Sequence, residues 1–201
     1  MAILYKKCPK CGSKNSVKIV YGMPDYELFK QAEAGEIKLG GCIITDGNFE
    51  YFCKNCEHEW NREEATNVAY SKIKTIKATV GGYSGGYNDV TIDLINCRTR
   101  WNSSINIEDL KEKSIDKFEV DAFVEGLKTI NFLNWKGKYI EADVCDGTQW
   151  NIKIETEDRK ICKHGDNMFP EEWDSFCSSI EQVTGQDFRW EEWGRIKPIR
   201  K

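Results

Sequence analysis

The sequence predicts an α+β protein in two parts. A small cysteine-organised ribbon with an inserted helix comes first, followed by an antiparallel-sheet α+β domain of order ββ-α-βββ-α. Three observations carry this. Two Cys-x-x-Cys pairs, Cys8/Cys11 and Cys53/Cys56, bracket the first part. Alternating apolar runs bounded by turn signals recur between residues 72 and 163. Two stretches with apolar residues at helical spacing, after Asp116 and after Pro170, interrupt and close that series. The boundaries that follow are a ribbon at 1–60, a connector at 61–71, and an α+β domain of unknown function at 72–201.

The chain of 201 residues is long enough for one ordinary domain and a small one, and its 40% hydrophobic and 31% charged residues exclude a disordered or membrane-embedded class. No apolar run approaches the ~18 residues a membrane span requires. The apolar stretch before Lys6 is too short for a secretory signal, so a cytoplasmic protein is expected. Residues 1–60 hold 8 basic and 8 acidic side chains, so the net charge of −4 arises in the remainder. An acidic pI near 5.4 argues against sequence-independent binding to nucleic acid, which depends on Lys and Arg neutralising phosphates. Five of the nine cysteines, Cys42, Cys97, Cys145, Cys162 and Cys177, stand singly in apolar or alternating stretches. They are expected to be reduced and buried as small hydrophobes rather than joined in a disulfide framework.

In the first part, Cys8-Pro-Lys-Cys11-Gly12 has the form of a metal knuckle. Pro9 presets the turn between two thiolates, and Gly12 can take a positive φ after the second. Cys53-Lys-Asn-Cys56 repeats the spacing, with Asn55 tolerating tight-turn dihedrals. Four thiolates with Zn–S near ~2.3 Å make a closed tetrahedral shell, so one structural zinc ion on Cys8, Cys11, Cys53 and Cys56 is expected. Cys42 and His58 are secondary ligand candidates. The 41 residues between the pairs exceed the usual spacing. A strand at 17–21 leaves the first knuckle, and one inserted helix beginning at Pro24, with Leu28, Phe29 and Ala32 as its stripe and Gly35 past its end, accounts for the excess. Runs at 41–45 and 48–52 flank Asp46-Gly47, which predicts a hairpin leading into the second knuckle.

Cys8-Pro-x-Cys-Gly12, Tyr21-Gly-Met-Pro24, Leu39-Gly-Gly-Cys42 and Cys53-x-x-Cys56 with Trp60 resemble the N-terminal zinc ribbon of small uncharacterised bacterial proteins. The likeness covers about 60 residues. It implies zinc ligation by the four paired cysteines and says nothing of activity, because ribbons serve many functions.

In the second part, strands are expected at 74–80 and 90–96, joined through the glycine-rich stretch 81–87. That stretch leads into a strand and contains no lysine, so it reads as a hairpin connection rather than a phosphate loop. Asp116 and Glu119 form a capping-box pattern, followed by Val120, Phe123, Val124, Leu127 and Ile130 on one helical face. Strands at 138–144, 148–156 and 160–163 read as a meander turned at Asp146-Gly147 and Glu157-Asp158. Pro170 is expected to start the last helix, with Trp173, Phe176, Cys177, Ile180 and Val183 inward and Gly185 as its stop. Trp150 and Trp173 face the predicted core, and Trp190 with Trp193 form an aromatic tail.

Acid–base chemistry has two weak candidates. Asp143, Asp146, Glu155 and Glu157 lie near strand ends with Lys153 close in sequence, but Asn151 stands where a metal-dependent nuclease needs a carboxylate. His164 with Asp166 could make a base and its orienting partner, yet no nucleophile motif accompanies them. No catalytic residue is assigned. Three functions stay open. The favoured one is a non-catalytic interaction or adaptor protein with structural zinc. The others are a nucleic-acid binder gathering Lys6, Lys7, Lys10, Lys14 and Lys18 on one ribbon face, and an enzyme with its site near His164 or Asp146.

Overall fold

The computed structural model describes residues 3–82, 85–104, 110–141 and 147–189. The protein is α+β, with two compact units that divide between Ser71 and Lys72.

The first unit is built on β1 (Ser16–Val20). Helix α1 (Tyr26–Glu33) follows, then β2 (Ile37–Leu39), β3 (Tyr51–Cys53), β4 (Glu59–Trp60) and α2 (Arg62–Ser71), and the strands lie in the order β2-β1-β3-β4. β2 runs parallel to β1, so α1 is the crossover of a β-α-β insertion that accounts for much of the distance between the cysteine pairs. The helix starts two residues later than the sequence suggests. Asp25 caps it, accepting the Leu28 amide at 2.8 Å, and Pro24 lies before the cap. Gly35, at φ 71°, closes the helix as expected.

The expected hairpin about Asp46-Gly47 does not form. A turn occurs there, with Asn48 N–H donating to Thr45 C=O at 3.2 Å, but 43–45 makes no strand. β2 and β3 occupy the two edges of β1, and β1 and β4 those of β3, so no inner edge is left to pair with. The polar stretch 61–71 is largely helical. Asn61 Oδ1 accepts the Glu64 amide at 2.9 Å, and only Ala65 and Tyr70 of α2 are buried, which explains why the sequence there looks like a linker.

The described residues of the second unit form seven strands: β5 (Ile73–Gly82), β6 (Gly86–Asp93), β7 (Arg98–Ser103), β8 (Lys111–Ser114), β9 (Lys138–Ile140), β10 (Thr148–Thr156) and β11 (Lys160–Asp166). Their order is β8-β7-β6-β5-β10-β11-β9. Helix α3 (Lys117–Thr129), a 3-10 turn at Phe132–Asn134, and α4 (Trp173–Thr184) complete it. The glycine-rich stretch closes the β5–β6 hairpin through a Gly82–Gly86 pair, and a Cβ on Gly81 would collide with the Gly86 carbonyl. Tyr83 and Ser84 lie outside the described residues.

Two strands exceed the expected order, β7 and β8. On β7 the inward positions Thr99 and Ser103 are polar, and β8 reads Lys-Glu-Lys-Ser, so neither shows apolar alternation. The expected meander holds for its second hairpin, where β10 and β11 pair antiparallel, but β9 pairs with β11, in parallel, and β5 takes the other edge of β10. Residues 142–146, with the Asp146 half of the expected turn and Asp143 and Cys145, lie outside the described residues, as do Trp190 and Trp193.

Most of both anticipated stripes is buried, Val120, Phe123, Leu127 and Ile130 in one and Phe176, Cys177, Ile180 and Val183 in the other, while Val124 and Trp173 are half-buried. The capping box is complete: Asp116 Oδ1 accepts the Glu119 amide at 2.8 Å, and Glu119 Oε2 accepts the Asp116 amide at 2.9 Å. Pro170 precedes α4 by a turn, its carbonyl accepting the Trp173 amide at 3.1 Å. Of the single cysteines that are described, only Cys177 is fully buried; Cys97 is half-buried, and Cys42 and Cys162 are exposed.

Inward residues Ile76, Ala78, Val80, Trp150, Ile152 and Ile154 share a core with Phe132, Trp135 and Phe176. Lys163 occupies a core position on β11 and is fully buried, its Nζ donating to the carbonyls of Trp135 (2.6 Å) and Leu133 (3.1 Å). Burial holds its pKa down to about 8, from an ordinary 10.5. Between these values the unfolded chain binds the proton more completely than the folded one, so stability rises with pH through this window. A Lys163→Met protein should lack that rise. Comparing the two proteins' denaturant midpoints from pH 7.5 to 10 checks this, since other titrating groups are common to both.

Candidate metal centre

Four cysteines from three places in the chain meet at one point. Cys8 and Cys11 lie in the loop before β1, Cys53 ends β3, and Cys56 sits in the turn from β3 to β4. Their Sγ atoms all lie within 4.8 Å of one another. The Cys8–Cys56 separation is 3.6 Å and the Cys11–Cys53 separation 3.5 Å, so each close pair joins one knuckle to the other. A tetrahedron of sulfurs at ~2.3 Å from a central ion has edges of about 3.8 Å. The sulfur set fits one metal ion of that kind.

The two knuckles are copies of one local structure. Cys8 C=O accepts the Gly12 amide and Cys53 C=O accepts the Glu57 amide, both at 2.9 Å. The Cys8 amide donates to Ser13 C=O and the Cys53 amide to His58 C=O, again at 2.9 Å. Cys8 Sγ accepts backbone N–H groups of Lys10 and Cys11, and Cys53 Sγ those of Asn55 and Cys56. The residue after each second cysteine takes positive φ, 73° at Gly12 and 59° at Glu57. The left-handed position thus falls on Glu57 rather than Asn55. Glu57 is a residue type that gives no local signal of it, and only the equivalence of the two motifs points there. Asn55 instead ties the knuckles together, its Oδ1 accepting from Asn15 Nδ2 at 2.9 Å.

An added Cβ on Gly12 would come no nearer than 3.6 Å, to Lys7 Cε, so Gly12→Ala meets no steric wall. It should still cost the first unit about 1 kcal/mol, through backbone strain alone. Glu57→Gly, which relieves the same conformation, should not destabilise. Amide-exchange protection of β1 and β3 in the two variants measures the difference.

Electrostatics favour a cation. Burial pushes the Cys8 thiol up. It pushes on Cys53 too, but the amides of Asn55 and Cys56 and the thiols of Cys11 and Cys56 outweigh it and bring Cys53 down to about 7. The His58 amide favours the Cys56 thiolate, yet burial and the three neighbouring sulfurs push it up to about 12. Four sulfurs this close cannot all ionise against one another without a positive charge between them. A divalent cation would supply that charge.

The sequence marks Trp60 and His58, but not Tyr5, Tyr51 and Glu64, which engage them beside the cluster. Trp60 is fully buried, donates Nε1–H to Tyr5 C=O at 2.8 Å, and stacks on Tyr51 with ring centroids 5.6 Å apart. His58 stacks on Trp60 and its Nε2 lies 2.6 Å from Glu64 Oε1, so it is engaged in positioning. Cys42 is exposed in the loop before Asp46 and is not among the clustered ligand atoms.

The other candidates are not drawn together. His164 is exposed on β11, opposite Asn151 in register. Asp166 Oδ1 accepts from Asn167 Nδ2 at 3.1 Å. Glu155 pairs with Lys160 at 3.1 Å, and Glu157 and Lys153 are exposed. A surface hollow of about 290 Å³, lined by Asp93, Arg98, Arg100 and Glu112, includes neither His164 nor Glu155. Lys6, Lys10, Lys14 and Lys18 are exposed and Lys7 is half-buried. Among the described residues no helix is long and apolar enough to cross a membrane. The sequence matches no known protein family and no curated protein.

Proposed function

We propose that the chain is a non-catalytic protein-recognition or adaptor protein whose first unit is a zinc ribbon, held by one structural Zn²⁺ on Cys8, Cys11, Cys53 and Cys56. The single observation that carries the reading is the convergence of four sulfurs within 4.8 Å. Soft thiolates in a tetrahedral set suit zinc, and four protein ligands leave no open position for a reacting water. The ion's contribution is charge neutralisation and cross-linking of three chain segments. The residues around it bind and orient: paired backbone amides favour the thiolates, and Trp60 with Tyr51 closes the apolar side.

Affinity purification of the full chain from its native cell, with and without nuclease, tests the recognition role. A protein partner retained after nuclease treatment, and lost when Cys8 and Cys53 are both replaced by Ser, is the expected result. Recovery of nucleic acid alone would contradict it and favour the nucleic-acid-binding alternative.

A further inference from the structure

The stretch 22–49, between β1 and β3, is unlike the rest of the described chain in what it leaves outside. Six large apolar side chains there are exposed: Met23, Tyr26, Phe29, Ile43, Ile44 and Phe49. Met23, Ile43 and Ile44 show more than 70% of their surface, whereas the other exposed apolar residues of the described chain are spread singly along the sequence. Isolated exposed apolar residues are ordinary, and a grouped set rimmed by charge marks a binding surface.

Local hydrogen bonds bring the members together. Gly22 N–H donates to Gly41 C=O at 2.8 Å, which sets Met23 beside the start of the Ile43-Ile44 loop. Asn48 Nδ2 donates to Ile43 C=O at 3.0 Å, which brings the chain at Phe49 back to the same loop. Tyr26 and Phe29, three residues apart, continue the surface along α1. That helix has no fully buried residue, and Tyr26, Glu27, Phe29 and Lys30 on it are exposed.

Charge decides the kind of occupant. The stretch carries five carboxylates, Asp25, Glu27, Glu33, Glu36 and Asp46, against Lys30 and Lys38. Both lysines are engaged: Lys30 lies over the Tyr26 ring and Lys38 pairs with Glu59. An anionic lipid surface would be repelled, and a second copy would bring the same excess of acid. We infer that this apolar, acid-rimmed face docks a protein segment presenting apolar anchors flanked by Lys and Arg. The inference rests on the protein-recognition reading and names the chemistry of its partner.

The probes are two fluorescent synthetic peptides of equal length and leucine content, one rich in Lys and one in Glu, titrated with the full zinc-loaded chain. The Lys-rich peptide should bind at least tenfold more tightly. Exchanging Ile43 and Ile44 for Ser should weaken it about tenfold or more, as for anchors at an interface centre, with zinc content unchanged. Asp46→Lys with Glu27→Lys should narrow the difference between the peptides. Equal affinity for both, no binding of either, or unaltered binding by the Ile43→Ser/Ile44→Ser protein overturns the proposal. Self-association abolished by the same substitutions would assign the face to a second copy and overturn it too. Peptide binding by a chain that holds no zinc would sink the zinc reading alone, and a zinc-loaded chain that binds neither peptide would sink only the docking face.

Discussion

Replacing Cys8 or Cys53 by Ser, or stripping the metal with a strong chelator, should unfold residues 3–71 while leaving the sheet of β5 to β11 intact. The buried cluster at the centre of the first unit is Cys8, Tyr51, Cys53, Trp60 and Ala65, so two of its five members are themselves ligands. The strands around it are short: β2 and β3 have three residues each and β4 has two. A core this small supports a fold poorly, and unit size alone does not compensate. Tetrathiolate zinc supplies about 10–16 kcal/mol on folding, far more than the marginal stability of any unit of this length. A serine hydroxyl cannot take a thiolate's place, so one substitution forfeits much of that term. In amide-resolved NMR the signals of β1 and β3 should collapse to unfolded positions, with those of β5 and β10 in place. Persistence of the β1 and β3 dispersion after metal removal would count against the account.

Phe176→Ala should be the most damaging single change in the second unit, costing about 3–5 kcal/mol. The Phe176 ring is fully buried, with centroids 5.1 Å from Phe132, 5.4 Å from Trp135, 5.5 Å from Trp173 and 6.3 Å from Phe188. Truncation removes its transfer free energy and leaves a cavity walled by rigid rings that cannot collapse inward. Phe176→Leu, which fills most of the space, should cost well under half as much. The reading is the denaturant midpoint of the second unit. Zinc content should be unaffected, because the ligands belong to the first unit. A loss below about 1 kcal/mol would show that the aromatic cluster rearranges freely.

How much of this was legible in the sequence depended on range. The ligand set could be read because each pair lies within four residues and the knuckle turn is encoded locally by Pro9 and Gly12. The Asp116–Glu119 box and the α4 stripe were legible for the same reason. Pairing was not. Asp46-Gly47 has the composition of a hairpin turn, and a turn does form, but the strands that fill the edges of β1 and β3 come from elsewhere in the chain. β8 shows no apolar residue, because an edge strand is held by backbone bonds and is protected by its charges. The parallel partnership of β9 with β11 depends on the path of the chain and left no mark in local composition. Lys163 was half visible: Ile161, Lys163 and Gly165 alternate toward the core, and a lysine in that row requires buried carbonyl partners, which only the fold could identify.

The central claim, that one tetrathiolate zinc organises the first unit, is tested most directly by zinc-edge X-ray absorption on the native chain together with its metal content. The account predicts one zinc per chain surrounded by four sulfurs at roughly 2.3 Å, with no nitrogen or oxygen ligand. Metal-free protein with an ordered first unit, or a shell in which nitrogen or oxygen replaces one of the four sulfurs, would contradict it.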